Sequence, residues 1–318
     1  MRKKLLFILL CMVLITASSL IITSIISEDK ASSKTRLVTS FYPIYIIATN
    51  LVEGIEDIEV VNLTEYETGC LHDYQLTTRD MKRLENADLI IMNGGGMEGF
   101  VEDIFDSYPN IPVIDSSTGI PLLSGTSHSH EEDDGHNHDH SHEYNAHIWM
   151  NMDYYIKQVE NVAKELSELY PSYTRIFETN SMKYIEEIRV LQEEYKSRLA
   201  GYKEIPIILF HDAFEYLADE MGLNVIHIIS MDENSYLSAA QIKEIIDKIN
   251  IYNVEMLLTE EQYSVTVAET ISSETDSRVY IVDSIVTGPE EKDAYIKGMK
   301  NNLEILEAAY EEVLGQSK

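Results

Sequence analysis

Cysteine is almost missing from this chain, with two in 318 residues. Cys11 lies inside an apolar N-terminal run and Cys70 stands alone, so a mature form lacking that run has no internal disulfide. Its stability must come from burial, and 318 residues with 44% hydrophobic content are enough for two domains of ordinary size. Positive charge is also scarce: 24 Lys and Arg stand against 55 Asp and Glu, a formal net charge of −31. Nucleic acid is held by clustered basic side chains, so that balance excludes it as a partner. A strongly acidic surface instead repels copies of itself and concentrates cations nearby. The HExxH pair of the helical zinc hydrolases is absent as well.

At the N-terminus, Arg2, Lys3 and Lys4 precede an apolar run over residues 5–26. Its 22 residues reach the roughly 20 that span a bilayer, so it reads as a secretory signal or a membrane anchor. Ala17, Ser18 and Ser19 offer a cleavage site, and Leu10 before Cys11 disfavours lipidation there. Residues 27–34 (SEDKASSK) form a polar tether. The remainder is expected outside the cytoplasm, as a periplasmic, cell-surface or membrane-anchored protein.

The exported part alternates short apolar strands with helical patterns. Strands are expected at 37–41, 58–63, 88–92 and 112–115, with helices at 44–52, 78–86 and 98–107. The pattern repeats with strands at 205–210, 225–230, 254–259 and 278–282, and helices at 213–221, 239–250, 265–272 and 292–314. Such alternation implies parallel sheets covered by helices on both faces. Between the halves lie helices at 154–169 and 172–199, the second carrying Ile176, Met182, Ile185, Ile188, Leu191 and Leu199 on a helical period. At 1.5 Å per residue the second is roughly 40 Å long, a strut rather than a flexible linker. The expected fold is therefore α/β: two similar lobes, each a parallel four-stranded sheet flanked by helices, joined by one long rigid helix. The boundaries are 1–34 (signal or anchor plus tether), 36–170, 172–200 and 201–318.

Residues 128–142 read HSHEEDDGHNHDHSH, six histidines and five acids with no apolar face to bury. His128, His130, His136, His138, His140 and His142 are nitrogen donors suited to loose collection of divalent metal. More specific candidates stand just past strands or between elements: His72 in GCLHDY, His147 in NAHIW, His211 in LFHDAF and Asp283 in IVDS. Ligand crevices of open α/β sheets lie beyond the carboxyl ends of strands. Each residue alone could be a polar loop or cap residue, with Asp212 as the N-cap after His211. Together they form a four-coordinate nitrogen/oxygen shell suited to Zn2+, with Mn2+ favouring more carboxylate. Four protein ligands leave no open position for a reactive water, so the set suits holding rather than catalysis. Glu260 or Glu261 could replace Asp283. Cys70 could add a thiolate, although Cys and His two apart on one short loop rarely converge. His227, inside an apolar strand, reads as a core histidine.

The segments GCLHDYQLTTRDM, NAHIWMN, LFHDAFEYLADEMGL and IVDSIVTG, with the His-rich loop before the second histidine, resemble the zinc/manganese substrate-binding proteins of ABC importers, the ZnuA/TroA-like superfamily (cluster A-I). The run HDAFEYLADEMGL carries most of the likeness, which extends over residues 36 to about 314. The resemblance implies two α/β lobes on one long helix, with metal held between them by His72, His147, His211 and Asp283. It further implies no enzymatic activity, Zn2+ as cargo with Mn2+ as the alternative, and a permease with its ATPase as partners of a monomer. The family usually has Asp-Pro before the second histidine, where this chain has Asn145-Ala146. It also usually has Pro before the first, where Leu71 stands. Such residues orient ligands rather than bind metal.

Overall fold

The computed structural model describes residues 34–65, 71, 74–99, 109–125, 144–229, 237–261 and 265–316. The apolar N-terminal run, the 128–142 loop, Cys70 and His72 lie outside the described residues, as does most of the helix expected at 98–107. No helix among the described residues is long and apolar enough to cross a membrane.

The alternating pattern resolves into two parallel four-stranded sheets. The first contains β1 (Thr35–Thr39), β2 (Ile58–Asn62), β3 (Leu89–Met92) and β4 (Val113–Asp115), in the order β2-β1-β3-β4. The second contains β5 (Pro206–Leu209), β6 (Asn224–Ile228), β7 (Met256–Thr259) and β8 (Arg278–Ile281), in the equivalent order β6-β5-β7-β8. Each sheet thus starts at an inner strand, adds one neighbour, then crosses to the other side. That crossing creates a switch point between the first and third strands of each sheet, where the connecting loops part. Apart from Thr35, Ile58 and Glu59, both sheets fall within one compact unit made of Arg36–Gly54 and Val60–Lys318.

Local signals set the flanking helices. Before α1 (Tyr42–Leu51) the chain is extended at Phe41, and Pro43 occupies the first turn, where its missing N–H costs nothing. Thr77 and Asp80 form a capping box before α2 (Thr78–Glu85), as their spacing implies. Asn151 caps α3 (Met152–Leu169) by accepting from the Tyr154 N–H. A turn at Pro171–Tyr173 leads into α4 (Thr174–Leu199), 26 residues and roughly 39 Å long. In the second half α5 (Ala213–Met221) ends at Gly222, whose φ of +66° suits glycine. Ser238 and Gln241 form the capping box of α6 (Ala239–Tyr252), and α7 (Val265–Ser273) and α8 (Ala294–Gln316) complete the set.

The strut differs in one respect from its sequence reading. Its buried stripe is Phe177, Ser181, Tyr184, Ile188, Leu191, Gln192, Tyr195 and Leu199, whereas Met182 is 65% exposed. The stripe runs through tyrosines, whose rings bury once their hydroxyls find partners. The Tyr184 and Tyr155 hydroxyls lie 3.2 Å apart, and Tyr195 donates to the Met299 carbonyl at 2.6 Å. His227 is also corrected. β6 is an edge strand of half-exposed residues, and His227 lies against Lys248, with Nδ1 3.1 Å from Nζ, rather than in the core.

Candidate metal centre

Three neighbouring strands of the second sheet end in donor residues. β5 leads into His211 and Asp212, β7 into Glu260, and β8 into Asp283 after Val282. Because these strands are parallel and adjacent, with Leu209 beside Leu258 and Thr259 beside Ile281, their carboxyl ends share one edge. His211 and Glu260 flank the switch point itself.

His147 joins them from the segment before α3. Its ring is fully buried and lies edge-on to His211, with centroids 4.8 Å apart. Asp212 lies between the two rings: its Oδ1 is 3.5 Å from His147 Nδ1 and 3.5 Å from His211 Nε2. Donor atoms of His147, His211 and Asp212 all lie within 4.8 Å of one another, close enough to hold one metal ion. Asp212 occupies the N-cap position of α5 but makes no side-chain cap hydrogen bond, so its carboxylate serves the imidazoles instead.

Surrounding groups fix the orientation of His147. Asn145 Nδ2 donates to the Asp212 carbonyl at 2.9 Å and to Glu215 Oε2 at 3.1 Å, which identifies its other terminal atom as the oxygen. That oxygen accepts from the His147 backbone N–H at 3.0 Å and lies 2.8 Å from Nδ1. An amide oxygen can only accept, so Nδ1 carries the proton and the lone pair of neutral His147 is on Nε2. Asn145 therefore performs the orienting role expected of a residue beside a metal ligand. Glu260 Oε1 lies 2.7 Å from His211 Nδ1, a contact that is an ion pair when the imidazole is protonated. Glu260 is 3% exposed, whereas Glu261 faces solvent.

Asp283 stands apart from the imidazole cluster. Its Oδ1 accepts from the Ile285 N–H at 2.7 Å, and its backbone is held by Asn302. One side of Asp283 is open to solvent. Crowding by the surrounding protein nonetheless raises its carboxyl above the usual range, the Glu260 charge adds to that, and the Ile285 N–H opposes it. Burial likewise raises Glu215, helped by Asp212 and opposed by Asn145. Asp212, Glu215, Glu260 and Asp283 form a negative rim in which a cation is welcome and a further anion is not.

The His147 segment is held mainly by the second half of the chain. Tyr216 donates to the Asn145 carbonyl at 2.7 Å, and the Met152 N–H donates to Glu220 Oε2 at 2.6 Å. The Trp149 indole N–H donates to the Ser284 carbonyl at 2.7 Å, and Tyr295 donates to the Trp149 carbonyl at 2.8 Å. From the first half comes Asn93, which donates to the Ala146 carbonyl at 3.0 Å. Asn93 in turn is fixed by the buried Glu98, which accepts from its N–H at 2.7 Å and from that of Gly94 at 3.0 Å. Burial pushes the Glu98 carboxyl up to about 7 despite these donors.

His211 and Asp283 stand just past their strands and His147 between elements, as the sequence implies, and the two histidines come together. Sequence reasoning missed Asp212 as a partner of both rings and Asn145 as the group orienting one of them. The signal for Asn145 was its position two residues before a histidine, where the family usually has an acid.

Two parallel sheets of equivalent order, a long connecting helix and buried donors at strand ends define a two-lobed substrate-binding protein. The model of the ZnuA family, described as zinc-uptake complex component A, periplasmic, matches residues 37–309, and the chain belongs to that family. The high-affinity zinc uptake system protein ZnuA of Bacillus subtilis (strain 168) is 30% identical over 286 residues, covering 88% of this chain and 89% of that protein. Zinc-binding protein AdcA of Streptococcus pyogenes serotype M3 is 28% identical over 292 residues; 87% of this chain is covered, but only 56% of AdcA. Thus the chain spans little more than half the length of some curated relatives. Among solved structures, FpvC of P. aeruginosa in complex with Ni2+ matches with a TM-score of 0.75 and 26% identity, over 88% of this chain and 98% of that one. FpvC has also been solved with Mn2+.

Proposed function

We propose that this protein is the extracytoplasmic substrate-binding component of an ABC importer, capturing Zn2+ as cargo and passing it to a membrane permease driven by its ATPase. The observation that carries this reading is the buried cluster of His147, His211 and Asp212 within 4.8 Å at the switch-point edge of the second sheet. Its nitrogen-rich donor set suits zinc, and its membership of the zinc-uptake family supports the same cargo. In this reading His72, His147, His211 and Asp283 are the ligands, with the lobes at 36–170 and 201–318 on either side of helix 172–200. The His-rich loop, with His128, His130, His136, His138, His140 and His142, gathers zinc weakly a few residues from His147. The chain acts as a monomer, kept at the membrane by its N-terminal run or released from it by cleavage, and it carries out no catalysis.

Zinc titration of a His147→Ala/His211→Ala variant, with residues 128–142 removed from it and from the parent, tests the assignment. Loss of the single tight equivalent is expected; retention of parental affinity would overturn it. Metal analysis of the loop-deleted protein from native cells separates the cargoes, and manganese in place of zinc would move the chain to the manganese-delivering branch.

A further inference from the structure

The strongest unexplained feature lies in the turn that carries Asp283. Ile285 has a φ of +59°, a left-handed conformation that a β-branched residue rarely adopts. It is 2% exposed and wedged against Gly298, where an added Cβ would lie 2.4 Å from Ile285 Cδ1. Its own N–H holds Asp283 Oδ1 at 2.7 Å, so the unusual backbone and the carboxylate are one unit. A backbone in such a state persists only where its surroundings over-determine it.

Trp149 supplies a clamp from the other side. It lies two residues after His147, is fully buried, and packs on His147 with ring centroids 5.2 Å apart. Its indole N–H donates to the Ser284 carbonyl at 2.7 Å, between Asp283 and Ile285. Phe41 meets the same indole edge-on at 5.0 Å, and Tyr295 fixes the Trp149 carbonyl. Further along the turn, Tyr42 donates to the Pro289 carbonyl at 2.6 Å and leaves no room for a side chain at Gly288.

We propose that Trp149 is a positioning residue that sets the lifetime of bound metal: its indole N–H on Ser284 holds the strained turn that presents Asp283 and couples it to the His147 segment. The proposal rests on the reading of Asp283 as a ligand given above. The clamp slows dissociation, because it keeps the carboxylate in place while metal is bound, and leaves capture unaffected.

The test uses the full-length chain loaded with one equivalent of zinc and follows release to a chromogenic chelator. Trp149→Phe keeps an aromatic ring and removes the donor. Release about tenfold faster is expected, the worth of one buried hydrogen bond, with the association rate within about twofold. Ile285→Leu removes the β-branch while keeping the volume, so it should slow release in the parent and return the Trp149→Phe rate to within about threefold of the parent. Unchanged release in Trp149→Phe, or no slowing by Ile285→Leu in either background, would overturn the proposal. The Ile285→Leu single variant decides the matter even where Trp149→Phe fails to fold. Asp283→Ala separates the two readings: faster release there with unchanged Trp149→Phe sinks the clamp alone, whereas parental release in Asp283→Ala removes the ligand assignment beneath it.

Discussion

Replacing Asn145 by alanine should weaken zinc binding without touching a ligand. The Asn145 side chain makes four polar contacts at 2.8 to 3.1 Å: with the His147 N–H, His147 Nδ1, the Asp212 carbonyl and Glu215. Asn145 is 2% exposed and His147 is fully buried, so the orphaned His147 groups cannot turn to bulk water, whereas half-buried Glu215 can. Each buried polar group left unmade costs about 1–3 kcal/mol, and partial relaxation should bring the total loss of apo-protein stability to about 2–4 kcal/mol. The metal loses more than that loosening suggests. Without Asn145 the Nδ1 proton loses its 2.8 Å acceptor, with Asp212 Oδ1 at 3.5 Å the next carboxylate, and the hold on the tautomer and ring angle of His147 loosens. Removing such an orienting group typically costs 10–100-fold in affinity, or about 1.4–2.7 kcal/mol. Competition against a zinc chelator measures the affinity, and thermal melting without metal measures the stability. Asn145→Asp is the informative control: it keeps the acceptor for His147 but sets a new charge beside Asp212 and Glu215. It should lose apo stability while holding zinc within about threefold of the parent. An Asn145→Ala variant that binds zinc within twofold of the parent would show that Asn145 does not orient His147.

Burial pushes the Glu220 carboxyl up from 4.5 to about 7, against hydrogen bonds from Gln192 and the Met152 N–H. A raised folded value means the folded state binds the proton more tightly, so this contribution to stability is full below about 4.5 and lost as pH rises through about 7. Melting temperature should therefore fall more steeply from acid to neutral pH in the parent than in Glu220→Gln; parallel slopes would contradict the shift. Deleting residues 128–142 should remove weak zinc equivalents and leave one tight equivalent in isothermal titration, and loss of the tight one would make the loop part of the site. Trp149 is the sole tryptophan of the chain and packs on His147, so its emission should change in step with the first zinc equivalent. A spectrum that responds only to later equivalents would place tight binding elsewhere.

The sheets were legible because parallel strands read as short apolar runs and most of them are followed by a helix. The strut was legible in length and partly in face: Ile188, Leu191 and Leu199 are buried, but a purely aliphatic count includes Met182 and overlooks Tyr184 and Tyr195, which bury with their hydroxyls hydrogen-bonded. His211 and Asp283 were legible because a strand end in an open sheet is a known place for donors. The role of Asp212 was hidden because an acid at the first turn of a helix has an ordinary use as a cap, and only the arrival of His147 gives it another. His227 misled for the opposite reason: an apolar strand looks the same at the centre of a sheet and at its edge.

Equivalent topology in the two halves did not produce equivalent sites, and the difference lies in what fills each switch point. In the first sheet the ends of β1 and β3 meet at Ser40 and Asn93, where Glu98 closes the gap from within. The Gln158 amide nitrogen donates to Asn93 at 3.0 Å and to Ser116 at 2.8 Å, while its buried Oε1 has no hydrogen-bond partner among the described residues. Such cross-linking of Ser40, Asn93, Glu98, Ser116 and Gln158 rigidifies this end of the sheet, and it brings no imidazole there. Its outward link is Asn93 to the Ala146 carbonyl, next to His147. In the second sheet the equivalent ends carry His211 and Glu260, whose contact leaves donor capacity facing Asp212 and His147. One switch point therefore acts as a mount and the other carries the candidate site, and His147 is tied to both. A cavity-forming change in the mount, such as Gln158→Ala, should on this argument lower zinc affinity from across the sheet. An equally buried change remote from both, such as Ile249→Val, should lower only the melting temperature.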